Sequence, residues 1–197
     1  MSILSPLMTI LPASCGVMFL EGVSLFPGTQ LPLRIFETRY RRMLTEALEG
    51  SRMFAIAMKP TPEAPENPMP LAGLDLITAC VKRKDGTSNL VPLGGRVGLI
   101  NILHETPFQA HAIEPTDTIN DLDEPEKSVS QKLIRCCEAR IPDKQNEVLN
   151  MLKVLRTLVQ LTDQICAIFI KSDKERNRLM QTLRLKTRIE TLRKPLR

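Results

Sequence analysis

Tryptophan is absent from this chain, tyrosine occurs once, at Tyr40, and histidine twice, at His104 and His111. Proteins that hold single strands of nucleic acid stack the bases on aromatic side chains. Six phenylalanines and one tyrosine in 197 residues make a poor platform, the more so because Phe36 and Tyr40 read as parts of a helix face. Nucleic acid is therefore not expected as the main ligand. The two histidines are separated by six residues, which suits neither a helical i, i+4 metal pair nor a zinc finger. No C-x-x-C pair accompanies them. Cys15, Cys80, Cys136, Cys137 and Cys166 are scattered and odd in number, as small core residues are in a reducing compartment. No metal site is expected.

The motifs of catalysis are missing as well. There is no G-x-x-x-x-G-K-[ST], and none of the nine glycines precedes a lysine. Gly94-Gly95-Arg96-Val97-Gly98 lacks the dinucleotide spacing, and no G-x-S-x-G occurs. No catalytic or cofactor-binding residue stands out, so the chain is expected not to be an enzyme and to need no cofactor. No apolar run approaches the roughly 18 to 20 residues of a membrane span. The opening MSILSPLMTILPASCG has no Lys or Arg before its apolar part and is interrupted by Pro6 and Pro12, which argues against export. A cytoplasmic location follows as the expectation.

What is present is ordinary in bulk, 43% hydrophobic and 25% charged, and long enough for one large domain or two small ones. The charge is unevenly placed. Lys171 to Arg197 holds ten Lys or Arg against three acids, so the net +5 of the whole chain belongs to its tail. Arg176, Arg178, Arg184, Lys186 and Arg188 are the candidate basic patch.

One stretch organises the rest: LFPGTQLPLRIFETRYRRMLTEALEG, Leu25 to Gly50. Phe26-Pro27-Gly28 predicts a turn, since Pro fixes φ and Gly tolerates positive φ. A short apolar run, Leu31 to Phe36, then gives way to helical spacing at Phe36, Tyr40, Met43, Leu44, Ala47 and Leu48. Gly50 stands at the expected helix end. Upstream, Met18-Phe19-Leu20 predicts a first strand. Downstream, Met53 to Met58 reads as a buried strand. Lys59 to Pro70 holds five prolines in twelve residues, which predicts an exposed loop.

Leu74 to Arg83 and Ser88 to Leu93 flank Lys84-Asp85-Gly86-Thr87, a hairpin signal. Gly94-Gly95 is expected to break the chain before a further strand, Arg96 to Leu103, and Phe108 to Ala112 alternate as a last one. Six or seven strands with one helix are thus predicted in the first 115 residues. From Glu114 to Glu126 six acids occur with no base, which predicts a linker. Strand signals stop there. Glu126 to Arg140, a stretch restarting at Pro142-Asp143 with its face over Val148 to Val159, Thr162 to Ile170 and a basic run after Ser172 predict helices, the last opened by a capping box over Ser172 to Glu175.

On these residues the chain resembles the N-terminal, substrate-binding domain of Lon proteases. LFPGTQLPLRIFETRYRRML is similar to that family's FPG…LPL.IFE.RYR.M pattern, and the likeness continues in order. KDGT falls on the hairpin, LVPLGGRVGLINI on the strand after it, and FQAHAIEP on the last strand. LTDQI and ERNRL resemble segments of the family's helices. Thr38 departs from it, since many relatives carry proline there, and the Pro-rich loop is its own. The resemblance implies an α+β fold: a PUA-like β-pseudobarrel with one packed helix, residues 1–118, followed by a small all-α helical subdomain, residues 119–197. It covers nearly all of the chain, which stops near where a full protease would continue into ATPase and Ser-Lys peptidase domains. ATP hydrolysis and proteolysis are therefore not carried over.

A free module of this kind would act as a non-enzymatic protein-recognition module. It would capture exposed apolar segments of unfolded or client polypeptides as an adaptor or chaperone-like binder, with a protease or ATPase partner left open. Met58, Met69 and Leu71, beside the Pro-rich loop, are the candidate polypeptide-binding residues because methionine adapts to varied partners. Their alternative role is to finish the core. The alternative function is an RNA-binding PUA-like protein using the basic C-terminal helix.

Overall fold

The computed structural model describes residues 11–59, 70–85, 87–141 and 146–193. Two compact units divide at Thr116 and Asp117. The first holds β1 (Ser14–Leu20), β2 (Leu33–Ile35), α1 (Thr38–Glu49), β3 (Met53–Met58), β4 (Leu71–Lys82), β5 (Ser88–His104) and β6 (Gln109–Pro115). Strand order is β2-β5-β4-β3-β1-β6, and β5 pairs again with β6. The mixed sheet therefore closes on itself, with β2 left as an edge on β5. Among the described strands only β1 and β3 run parallel, because the chain between them crosses over through β2 and α1.

Both faces of the sheet are covered, which explains why β3 reads MFAIAM without alternation. Met53, Ala55 and Ala57 face the inside with Cys15, Val17, Leu74, Val97 and Leu99. Phe54 and Ile56 face the other side, with Met18, Ile77 and Phe108, where α1 lays down Tyr40, Met43 and Leu44. Two glycines permit these approaches. A Cβ on Gly16 would stand 2.5 Å from Met43 Cγ, and one on Gly73 would stand 2.4 Å from the Leu25 carbonyl oxygen.

The turn at Phe26 forms as expected: Thr29 N–H donates to Phe26 O at 3.1 Å, and Gly28 has φ 71°. Phe36 does not join the helix face. It precedes the N-cap, Glu37, and is 65% exposed. Gly94-Gly95 does not break the chain either. Both glycines pair inside one strand of 17 residues, Gly95 with Leu74 and Gly94 with Asp75, so the ladder of β4 carries them through.

The second unit contains α2 (Glu126–Glu138), α3 (Asn146–Lys153), α4 (Leu158–Phe169), α5 (Asp173–Met180) and α6 (Leu185–Arg193). Its core is built from Val129, Leu133, Leu161, Ile165, Leu179, Leu185, Ile189 and Leu192. The single helix face expected over Val148 to Val159 is two helices. Thr157 starts α4 with a full capping box: its Oγ1 accepts Gln160 N–H at 3.2 Å, and Gln160 Oε1 accepts Thr157 N–H at 3.3 Å. The basic run after Ser172 likewise divides into α5 and α6. Ser172 Oγ accepts Glu175 N–H at 3.4 Å.

The acidic stretch is not a free linker. Ile119 forms a parallel bridge with Arg184, Ile119 N–H donates to Leu183 O at 2.9 Å, and Asp121 Oδ1 accepts Lys186 N–H at 2.9 Å. Its carboxylates answer the basic tail of the same unit. Among the described residues no helix is long and apolar enough to cross a membrane.

Candidate functional site

A cleft of about 590 Å³ opens in the sheet unit where β1 ends beside the start of β6. Its apolar wall is Val17, Phe19, Leu20, Pro107 and Phe108, and its charged rim is Glu21, Glu37, Arg39, Lys59 and Glu105. The opening follows from the ladder. Ile113 N–H donates to Ala13 O at 3.0 Å, and the register continues Cys15↔His111 and Val17↔Gln109. Those are the narrow, doubly hydrogen-bonded pairs of an antiparallel ladder. The next one would set Phe19 against Pro107, and proline has no N–H to give. Pairing stops at Val17↔Gln109. The donor that proline lacks comes from α1, whose Tyr40 hydroxyl donates to Phe19 O at 3.2 Å.

The rim cations are committed. Arg39 pairs with Glu37 at 2.8 Å while its guanidinium lies 4.5 Å from the centre of the Tyr40 ring, a cation–π contact. Lys59 pairs with Glu21 at 3.2 Å. Burial pushes the Tyr40 hydroxyl above its ordinary pKa, so it stays a donor at neutral pH. Below the cleft, the His111 ring stands 6.0 Å from that of Phe19, and burial lowers its pKa, favouring the neutral imidazole. Burial pushes the neighbouring Cys15 thiol up to about 12, which leaves it unreactive. The arrangement offers contact surface and backbone groups rather than a nucleophile with its base. Among the described residues no cluster of His, Cys, Asp or Glu could hold a metal ion.

The residues singled out from the sequence fall elsewhere or are otherwise engaged. Met58 is half-buried at the end of β3, paired with Leu20 of the cleft wall. Leu71 is buried, 3% exposed, and faces no solvent that a partner could enter. Met69 lies outside the described residues. In the proposed basic patch Arg188 is fully buried, its Nη2 donating to the buried Asp163 carboxylate. Arg176 pairs with Asp173 at 2.5 Å, Arg184 with Asp121 at 3.4 Å, and Lys186 with Asp123. Arg178 is exposed. Acids of the same unit thus meet most of this charge. What the sequence reading missed is the Phe19–Tyr40–Pro107 constellation. Its one local signal is the proline two residues before a strand.

The family model for the ATP-dependent protease La (LON) substrate-binding domain matches residues 15–196. The chain is 25% identical over 199 residues to a Lon protease of Desulfosudis oleivorans, covering 94% of this chain and 24% of that protein. It thus spans about a quarter of that relative's length. Its fold is similar to the N-terminal domain of a Mycobacterium avium complex Lon protease, with TM-score 0.76, 16% identity, and 93% and 97% of the two chains covered. A Lon N-terminal domain protein from Xanthomonas campestris matches with TM-score 0.66 and 17% identity over 92% and 97%.

Proposed function

This chain belongs to the ATP-dependent protease La (LON) substrate-binding domain family, and from that premise we propose that it is a non-enzymatic binder of exposed apolar polypeptide segments. It would act as an adaptor or chaperone-like module. The observation that carries the reading is the cleft at the end of β1, an apolar wall on a closed sheet at the point where the β1–β6 ladder stops. Burial of on the order of 400 Å² of apolar surface at about 25 cal/mol/Å² yields roughly 10 kcal/mol gross. Association and ordering costs offset most of it, so micromolar affinity or weaker is expected, about what a capture-and-release module needs. The five free cysteines suit a reducing, cytoplasmic setting. We also read the chain as two domains, 1–118 and 119–197, because Ile119 is tied by backbone bonds to the helical unit.

The test is a titration of the whole chain with an unfolded apolar polypeptide and with single-stranded RNA across a salt series. Polypeptide binding with a shallow salt dependence is expected. Tight RNA binding with a steep salt slope, and no polypeptide binding, would overturn the proposal.

A further inference from the structure

We propose that the cleft takes its polypeptide as a short added strand on the outer edge of β1 and prefers a segment carrying Lys or Arg among apolar residues. This deepens the polypeptide-binding reading and rests on it. Three features carry it.

The first is backbone. Along β1 the polar groups alternate between neighbours. Leu20 O accepts Lys59 N–H at 3.0 Å on one side, whereas Ala13 O accepts Ile113 N–H on the other. Odd-numbered residues therefore direct their N–H and C=O toward β6, and Phe19 is the first of them beyond the last pair, Val17↔Gln109. By that alternation its N–H is directed to the side on which β6 has already ended at Gln109. An extended segment laid there gains the hydrogen bond that β6 does not supply, and the Phe19 carbonyl keeps a second lone pair beside the Tyr40 hydroxyl.

The second feature is the wall. Phe19, Leu20 and Pro107 offer apolar contact to the side chains that alternate along such a strand.

The third is charge. Three carboxylates and two cations line the cleft, and each cation is already matched, Arg39 by Glu37 and Lys59 by Glu21. Glu105, exposed on the β5–β6 turn, makes no ion pair among the described residues. The residual field at the rim is negative, which complements a cationic side chain and opposes an acidic one.

Because Tyr40 is the only tyrosine and tryptophan is absent, the intrinsic fluorescence of this chain reports on the cleft itself. The probes are unstructured peptides of Phe, Leu and Gly with two Lys, the same peptide with two Glu, and the Lys peptide with its backbone amides N-methylated at alternate positions. None contains Tyr or Trp. Titration of the whole chain at low salt should show the Lys peptide binding about tenfold more tightly than the Glu peptide. In Glu105→Lys the order should invert, with an unchanged melting temperature confirming the fold. One of the two N-methylation phases should lose binding and the other keep it. Equal affinities for Lys and Glu peptides, or indifference to Glu105→Lys and to N-methylation, would overturn the inference while leaving polypeptide binding intact. No binding of any peptide would instead overturn the underlying reading.

Discussion

Asp75 sits in the middle of the closed sheet, opposite Phe54 on one side and Gly94 on the other, with no exposed surface. Among the described residues neither carboxylate oxygen has a hydrogen-bond partner, and burial raises its pKa to about 8. In the unfolded chain the group ionises near the ordinary value of about 3.9. The folded state therefore holds a proton that the unfolded state releases between those two values. Stability must fall as pH rises through that window, and level off above the folded pKa. With about 1.4 kcal/mol per unit, the loss between pH 5 and pH 8 is roughly 3 to 4 kcal/mol. Asp75→Asn removes the titration and keeps the shape. Urea unfolding of both proteins at a series of pH values isolates the effect, because other titrating groups, His111 among them, cancel in the difference. The variant should gain on the parent by that amount over the window. A difference that stays constant with pH would refute the argument, and would mean that Asp75 remains ionised against Arg96, which is buried and pairs with Gly73 two residues along β4.

Arg188→Met leaves Asp163 buried without its cation and should cost the helical unit about 3 to 5 kcal/mol, whereas Arg188→Met with Asp163→Leu should cost much less than the sum of the singles. Amide resonances of the sheet unit should persist while the helical ones melt; simultaneous loss of both would contradict two independently folding domains. Gly73→Ala brings a Cβ against the backbone of Leu25 and should destabilise by about 1 to 3 kcal/mol, more than Gly16→Ala, where the neighbour is the Met43 side chain that can turn away. Urea midpoints rank the pair, and the reverse order would disprove the packing argument.

Much of the fold was legible because local signals and tertiary demands agreed. The turn at Pro27-Gly28, the helix spacing from Tyr40 to Leu48 and the doubly buried run of β3 each state one conformation at close range. The errors arise where a contact distant in sequence overrides a local rule. Gly94 and Gly95 look like a chain break until β4 pairs with them. Leu71 looks like accessible surface beside a loop until pairing with Gly98 buries it. Arg188 belongs by composition to a solvated basic face, yet Asp163, 25 residues earlier, draws it into the core. Thr157 with Gln160 was a readable helix start, hidden within an otherwise continuous apolar pattern. The cleft was least legible. It joins a backbone carbonyl, a hydroxyl 21 residues away and a proline in the turn between β5 and β6, three parts that no local pattern links.

Closure of the sheet also limits how this domain can bind. Pairing β5 with both β4 and β6 uses up the long strand edges along which a polypeptide could zip without end. What stays open at the cleft is one residue's worth of ladder, where Pro107 stands just before β6 and Tyr40 bonds the Phe19 carbonyl. One or two backbone hydrogen bonds at about 1 kcal/mol each, with one apolar side chain against Phe19 at about 2 kcal/mol, would give a weak grip that the rim charge biases toward cationic segments. A longer edge would hold clients more tightly but would equally invite edge-to-edge aggregation among copies of the chain. On the proposed reading, the short edge would reconcile two demands on a module that met unfolded polypeptides: to touch backbone, which every such segment has, and to let go.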